Sequence, residues 1–75
     1  MVEQRQLAHY LIDKLVKIRF EYMDQLIGFS ATTAMKNKEA DALYNCFVGG
    51  QVTINDLNEE IATVEAELQQ LKQGE

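Results

Sequence analysis

The chain has 75 residues, a mass of 8.6 kDa and a formal net charge of −5, with no proline, no tryptophan and one cysteine. So short a chain buries only about 62 % of its surface on folding, and its core alone supplies little more than ~3–5 kcal/mol. One cysteine excludes an internal disulfide, and no cluster of cysteines and histidines offers a zinc site. We therefore expect the fold to be reinforced by another polypeptide.

The net charge is concentrated in the last quarter of the chain. Residues 56–75 carry −5, whereas residues 1–55 are neutral overall. An acidic segment repels phosphate backbones, so we expect no nucleic-acid partner. The uncharged stretches, residues 25–35 and 42–55, are too short to span a bilayer. The polar N-terminus has no secretory pattern, and the single cysteine suits a reducing compartment. We therefore expect a cytoplasmic protein with no membrane contact.

The first segment, residues 2–27, has the pattern of a long amphipathic helix. Its apolar residues recur every three or four positions in two adjacent stripes, which form a face wider than a two-stranded coiled-coil seam. One stripe contains Ala8, Leu11, Leu15, Ile18, Tyr22 and Phe29, and the other contains Ile12, Val16, Phe20, Met23 and Ile27. On the polar side, Asp13, Lys17 and Glu21 stand four apart, so we expect i,i+4 ion pairs there. Gly28 predicts the helix end, because glycine readily adopts the left-handed conformation that terminates helices.

The middle segment is compatible with two structures. Residues 33–48 are rich in alanine, lysine and other helix-favouring residues, which predicts a short helix ended by Gly49 and Gly50. The apolar residues on either side of the two glycines also fit a β-hairpin over residues 46–54. Because a lone two-stranded hairpin is only marginally stable, we favour the helix. A helix–hairpin–helix arrangement, which is an α+β fold, is the alternative.

The third segment starts with a helix-capping signal and continues as a heptad pattern. Thr53 and Asp56 have the spacing of a capping box, and Val52 and Leu57 have that of a hydrophobic staple. The heptad a/d seam is formed by Ile54, Leu57, Ile61, Val64, Leu68 and Leu71. We therefore expect residues 1–75 to form one small all-α domain. It would contain a long N-terminal amphipathic helix, a short middle helix and a C-terminal heptad helix, packed as an antiparallel hairpin or three-helix unit.

The two long helices carry more apolar surface than one short chain is expected to cover. The first would be roughly 39 Å long and the third roughly 27 Å, so antiparallel packing of the two leaves ~12 Å without a counterpart. Each large apolar side chain left in water forfeits ~1.5–3 kcal/mol. A homodimer or a complex with another protein removes this cost. The candidate interface residues, some of which must also be core, are Leu11, Leu15, Ile18, Tyr22, Leu57, Ile61, Val64 and Leu68.

The residues that most often carry chemistry are sparse and poorly placed for it. His9 has only Asp13 at helical spacing, which is too few ligands for a metal ion. Cys46 lies in an apolar stretch, as a buried structural thiol does. The glycine pair lacks the lysine and hydroxyl residue of a phosphate-binding loop, and neighbouring glutamates in the third segment point in different directions. We therefore expect no catalytic residue, no cofactor and no metal site.

These observations favour a non-catalytic protein–protein interaction module that works through apolar helix faces. Such a module would serve as an adaptor, a co-chaperone or a regulatory or assembly subunit. The alternative is that the acidic third helix imitates nucleic acid or blocks a basic protein surface, because the whole net charge lies in residues 56–75.

Overall fold

The computed structural model describes residues 3–74 and contains three helices: α1 (Gln4–Ile27), α2 (Thr33–Val48) and α3 (Ile54–Gln73). The described part of the chain contains no strand. The all-α three-helix unit is therefore confirmed, and the β-hairpin over residues 46–54 is not formed. The predicted start of the first helix at Val2 lies outside the described residues.

Local hydrogen bonds fix the end of α1 and the start of α3 where the sequence predicted them. Gly28 adopts the left-handed conformation, with φ 71° and ψ 20°, and its N–H donates to the carbonyl of Asp24 at 2.8 Å. Thr53 and Asp56 form a reciprocal capping box. The Asp56 N–H donates to Thr53 Oγ1 at 3.1 Å, and the Thr53 N–H donates to Asp56 Oδ2 at 3.0 Å.

The glycine pair ends α2 instead of turning a hairpin. Gly50 has φ 80°, and its N–H donates to the carbonyl of Phe47 at 3.1 Å, while the Gln51 N–H donates to the carbonyl of Cys46 at 2.9 Å. These two bonds form a Schellman motif, which satisfies carbonyls that a helix end otherwise leaves unpaired. The same carbonyls are consequently not available for pairing between strands.

The α1–α2 pair is an antiparallel hairpin. His9, near the start of α1, stacks on Tyr44, near the end of α2, with ring centroids 4.0 Å apart. Further along α1, Arg19 Nη1 lies 3.5 Å from Glu39 Oε1, in the first half of α2. Residue numbers therefore rise along α1 as they fall along α2.

In contrast, α3 runs in the same direction as α1. Gln4 and Ile54, at the two helix starts, line one surface depression, and Lys72 Nζ lies 3.7 Å from Glu21 Oε1 near the other end. The antiparallel packing assumed when comparing the lengths of the first and third helices is therefore not adopted. The ion pairs expected of Lys17 with Asp13 and with Glu21 are also not formed, and Glu21 pairs with α3 instead.

The hydrophobic core lies along the first two thirds of α1. Its buried members are Ala8, Leu11, Ile12, Leu15 and Val16 of α1, with Leu57 and Ile61 of α3. Helix α2 contributes no fully buried side chain, although Ala40, Leu43, Tyr44 and Phe47 pack partly buried against this core. Because α1 packs against both other helices while α2 and α3 do not pack on each other, the bundle is open between α2 and α3.

The molecule is elongated, with principal extents of 41 × 24 × 21 Å. Its accessible surface is 5431 Å², about 700 Å² more than the ~4,700 Å² typical of a monomer of this mass.

Candidate interaction surface

Large apolar side chains near the end of α1 and the start of α2 are exposed. We call this the open-end surface, and its members are Met23 (36 % exposed), Leu26 (52 %), Ile27 (65 %) and Met35 (40 %). Among residues 3–74, the other exposed large apolar side chains are those of Tyr10 and Val48, which lie elsewhere in the chain. Exposed apolar residues are ordinary when scattered singly, whereas a large contiguous apolar patch is characteristic of an interaction site.

This end is open because α1 is longer than its neighbours. With 24 residues it is about 36 Å long, against about 24 Å for the 16 residues of α2 and about 30 Å for the 20 residues of α3. Since α1 and α3 start side by side, α3 ends near Glu21. The last turns of α1 therefore extend beyond it, and Phe29 provides partial cover there, with its ring 6.4 Å from that of Phe20.

Arg19 marks the inner boundary of the open-end surface. Its guanidinium reaches both neighbouring helices, with Nη1 3.5 Å from Glu39 Oε1 and Nη2 3.2 Å from Glu60 Oε2. Residues four apart share one face of a helix. Met23 lies one turn after Arg19 on α1 and Met35 one turn before Glu39 on α2, and because the helices are antiparallel both methionines lie on the side of this ion pair that faces the α1–α2 connection.

The charges around the open-end surface cancel. The chain between residues 21 and 38 carries two acidic residues, Glu21 and Asp24, and two lysines, Lys36 and Lys38. Methionine side chains are flexible and polarizable, so they adapt to the shape of an apolar partner. The arrangement therefore suits contact with an uncharged apolar surface.

The eight candidate interface residues lie mostly in the intramolecular core. Five are buried: Leu11, Leu15, Leu57, Ile61 and Leu68. The other three, Ile18, Tyr22 and Val64, are partly exposed. Sequence alone could not separate these two uses, because a core residue and an interface residue both recur at helical spacing.

Leu26 and the other members of the open-end surface were not among the predicted interface residues. Met23 and Ile27 fell in the second stripe, which was not chosen, and Leu26 fell in neither stripe. The spacing contains one signal for Leu26, since it lies four residues after Tyr22 and so continues the first stripe.

The chain's histidine is held by aromatic stacking. The rings of His9 and Tyr44 are 14° from parallel, and with Asp13 and Asp41 they line a depression of about 320 Å³ between α1 and α2. Within residues 3–74, no three His, Cys, Asp or Glu side chains gather as metal ligands would. The depression therefore has polar walls, but its side chains do not form a metal-binding group.

Cys46 was expected to be buried but is partly exposed. It lies seven residues after Glu39, and hence on the same side of α2 as that ion-paired carboxylate. This side faces the gap between α2 and α3, so incomplete cover of Cys46 follows from the open bundle. The glutamates Glu59, Glu60, Glu65 and Glu67 are exposed, as expected of a solvated helix flank.

No protein-family model, curated protein or solved structure matches this chain. Of the three described helices, none has a stretch both long and apolar enough to cross a membrane.

Proposed function

We propose that the chain is a non-catalytic protein–protein interaction module that binds another chain through its open-end surface. It serves as an adaptor, a co-chaperone or a regulatory or assembly subunit. The observation that supports this proposal is the group of four exposed apolar side chains at one end of the molecule. Contiguous exposed apolar surface on a small protein is characteristic of interaction sites.

The energetic reason is the incomplete burial of Leu26 and Ile27. Both are at least half exposed, so covering them recovers about half of the ~1.5–3 kcal/mol that full burial of each side chain is worth. Met23 and Met35 add further apolar contact that adjusts to the partner's shape. The partner surface that fits is therefore an apolar helix face or groove.

Affinity capture with matched variants tests the proposal. Tagged wild-type chain, Leu26→Glu and Tyr10→Glu are used to capture partners from cells of the native organism, and the intact complexes are weighed by mass spectrometry. Tyr10 is a matched control because it is 63 % exposed on the same helix but lies outside the open-end surface. We expect the wild type and Tyr10→Glu to retain the same complex and Leu26→Glu to lose it. Equal capture by all three contradicts the proposal.

A second candidate function is supported by the acidic flank of α3. Glu59, Glu65 and Glu67 are exposed and have no ion-pair partner within 4 Å among residues 3–74. On this alternative, α3 imitates nucleic acid or blocks a basic protein surface, and its binding weakens steeply as salt rises. The double reversal Glu65→Lys/Glu67→Lys then abolishes binding while preserving the Arg19–Glu60 pair. Binding that is insensitive to salt rules this candidate out.

A further inference from the structure

We propose that the chain which covers the open-end surface is a second copy of this protein, in a dimer with two-fold symmetry. The inference rests on the proposed function, because it names the partner of the same surface. Two-fold dimers place one patch against itself, and an apolar patch that is free of a dominant charge is complementary to itself. The open-end surface has both properties.

The distribution of charge selects this end of the molecule for self-association. Residues 56–75 carry −5, so a contact between two copies of α3 brings like charges together and is unfavourable. Residues 21–38 contain equal numbers of acidic and basic side chains. A contact at the open-end surface therefore leaves most of the acidic flanks apart, where solvent and salt screen them.

The unpaired charges beside the open-end surface are also self-complementary. Asp24 on α1 and Lys36 and Lys38 on α2 have no ion-pair partner within 4 Å in the described chain. A two-fold contact that joins the end of α1 in one copy to the start of α2 in the other brings these opposite charges together. Ion pairs at the rim of an interface fix the relative orientation of the two copies more than they increase the affinity of the dimer.

A two-fold contact at this surface has an apolar centre and a charged rim. The four apolar side chains would form the centre of the contact, and the charged residues beside them its polar rim.

Sedimentation equilibrium of the full chain at micromolar concentration tests the inference. We expect the wild type and Tyr10→Glu to sediment at twice the monomer mass of 8.6 kDa. Leu26→Glu is expected to raise the dimer dissociation constant at least about tenfold, because it places a charge in an apolar contact. Ile27→Lys provides a second variant, since a cation near the end of α1 suits the helix dipole. Circular dichroism verifies that each variant is folded.

Each other result counts against the inference. A wild-type chain that sediments as a monomer throughout the micromolar range overturns the homodimer, while the capture experiment above still decides the proposed function. A dimer that survives both Leu26→Glu and Ile27→Lys forms through another surface, and this result overturns the inference.

Discussion

Replacing Leu57 or Leu26 with alanine makes the same chemical change at a core position and at the open-end surface. Leu57 is 1 % exposed and packs between α3 and α1, so Leu57→Ala loses the transfer free energy of a buried side chain and leaves a cavity. We expect it to lower the free energy of unfolding by about 3 kcal/mol. This is a large part of the total, because 75 residues at ~0.05–0.15 kcal/mol each give a stability of about 4–11 kcal/mol.

Leu26 is 52 % exposed, so only about half of the ~1.5–3 kcal/mol of full burial is present to be lost in the monomer. We therefore expect Leu26→Ala to cost less than about 1 kcal/mol in dilute solution. If a second copy covers Leu26, the cost of Leu26→Ala rises with protein concentration, because association stabilises the wild type but not the variant.

Urea denaturation followed by far-ultraviolet circular dichroism measures both losses, and an unchanged m value verifies that the variants unfold as the wild type does. If Leu57→Ala does not fold, Ile61→Val supplies a milder core change with an expected loss of about 0.5–1.5 kcal/mol. Equal losses for Leu57→Ala and Leu26→Ala would refute the assignment of one residue to the core and the other to the surface.

Three further substitutions test how the helices are held. Arg19→Met keeps the apolar stem but removes the partly exposed ion pairs with Glu39 and Glu60. We expect a loss of about 1 kcal/mol that shrinks as salt is added, measured by urea denaturation at low and high salt. Thr53→Ala removes the capping hydroxyl of α3 and should cost about 1 kcal/mol, whereas no change in the urea midpoint would contradict the capping role. Gly50→Ala adds a Cβ that meets no atom within 4 Å but must adopt φ 80°; thermal unfolding should show a loss of about 1 kcal/mol from backbone strain alone.

The helix ends were predictable because their causes are local. The capping box joins Thr53 to Asp56, three residues apart, and Gly28 bonds to Asp24, four residues back. Interactions over so few residues are visible in the sequence without knowledge of the fold. The same holds for the buried or partly buried a/d positions of α3, whose spacing alone indicates one apolar face.

The direction of α3 and the position of the open-end surface depend on contacts between distant residues. Lys72 pairs with Glu21, and no short-range pattern distinguishes that pairing from the expected one between Lys17 and Glu21. Likewise, Leu57 and Leu26 are both leucines at helical spacing. Leu57 is covered because it packs against α1, whereas Leu26 lies beyond the end of α3 near Glu21.

The central claim, that the open-end surface is where this protein binds, is tested most directly by methyl NMR of the chain labelled at its methionine and isoleucine methyl groups. Met23, Ile27 and Met35 report on the surface, and Ile54, at the start of α3 beside Gln4, reports on the opposite end. We predict that the signals of the first three shift and broaden as the protein is concentrated or a captured partner is added, while Ile54 stays unchanged. Association that moves Ile54 and leaves Met23, Ile27 and Met35 in place would contradict the account.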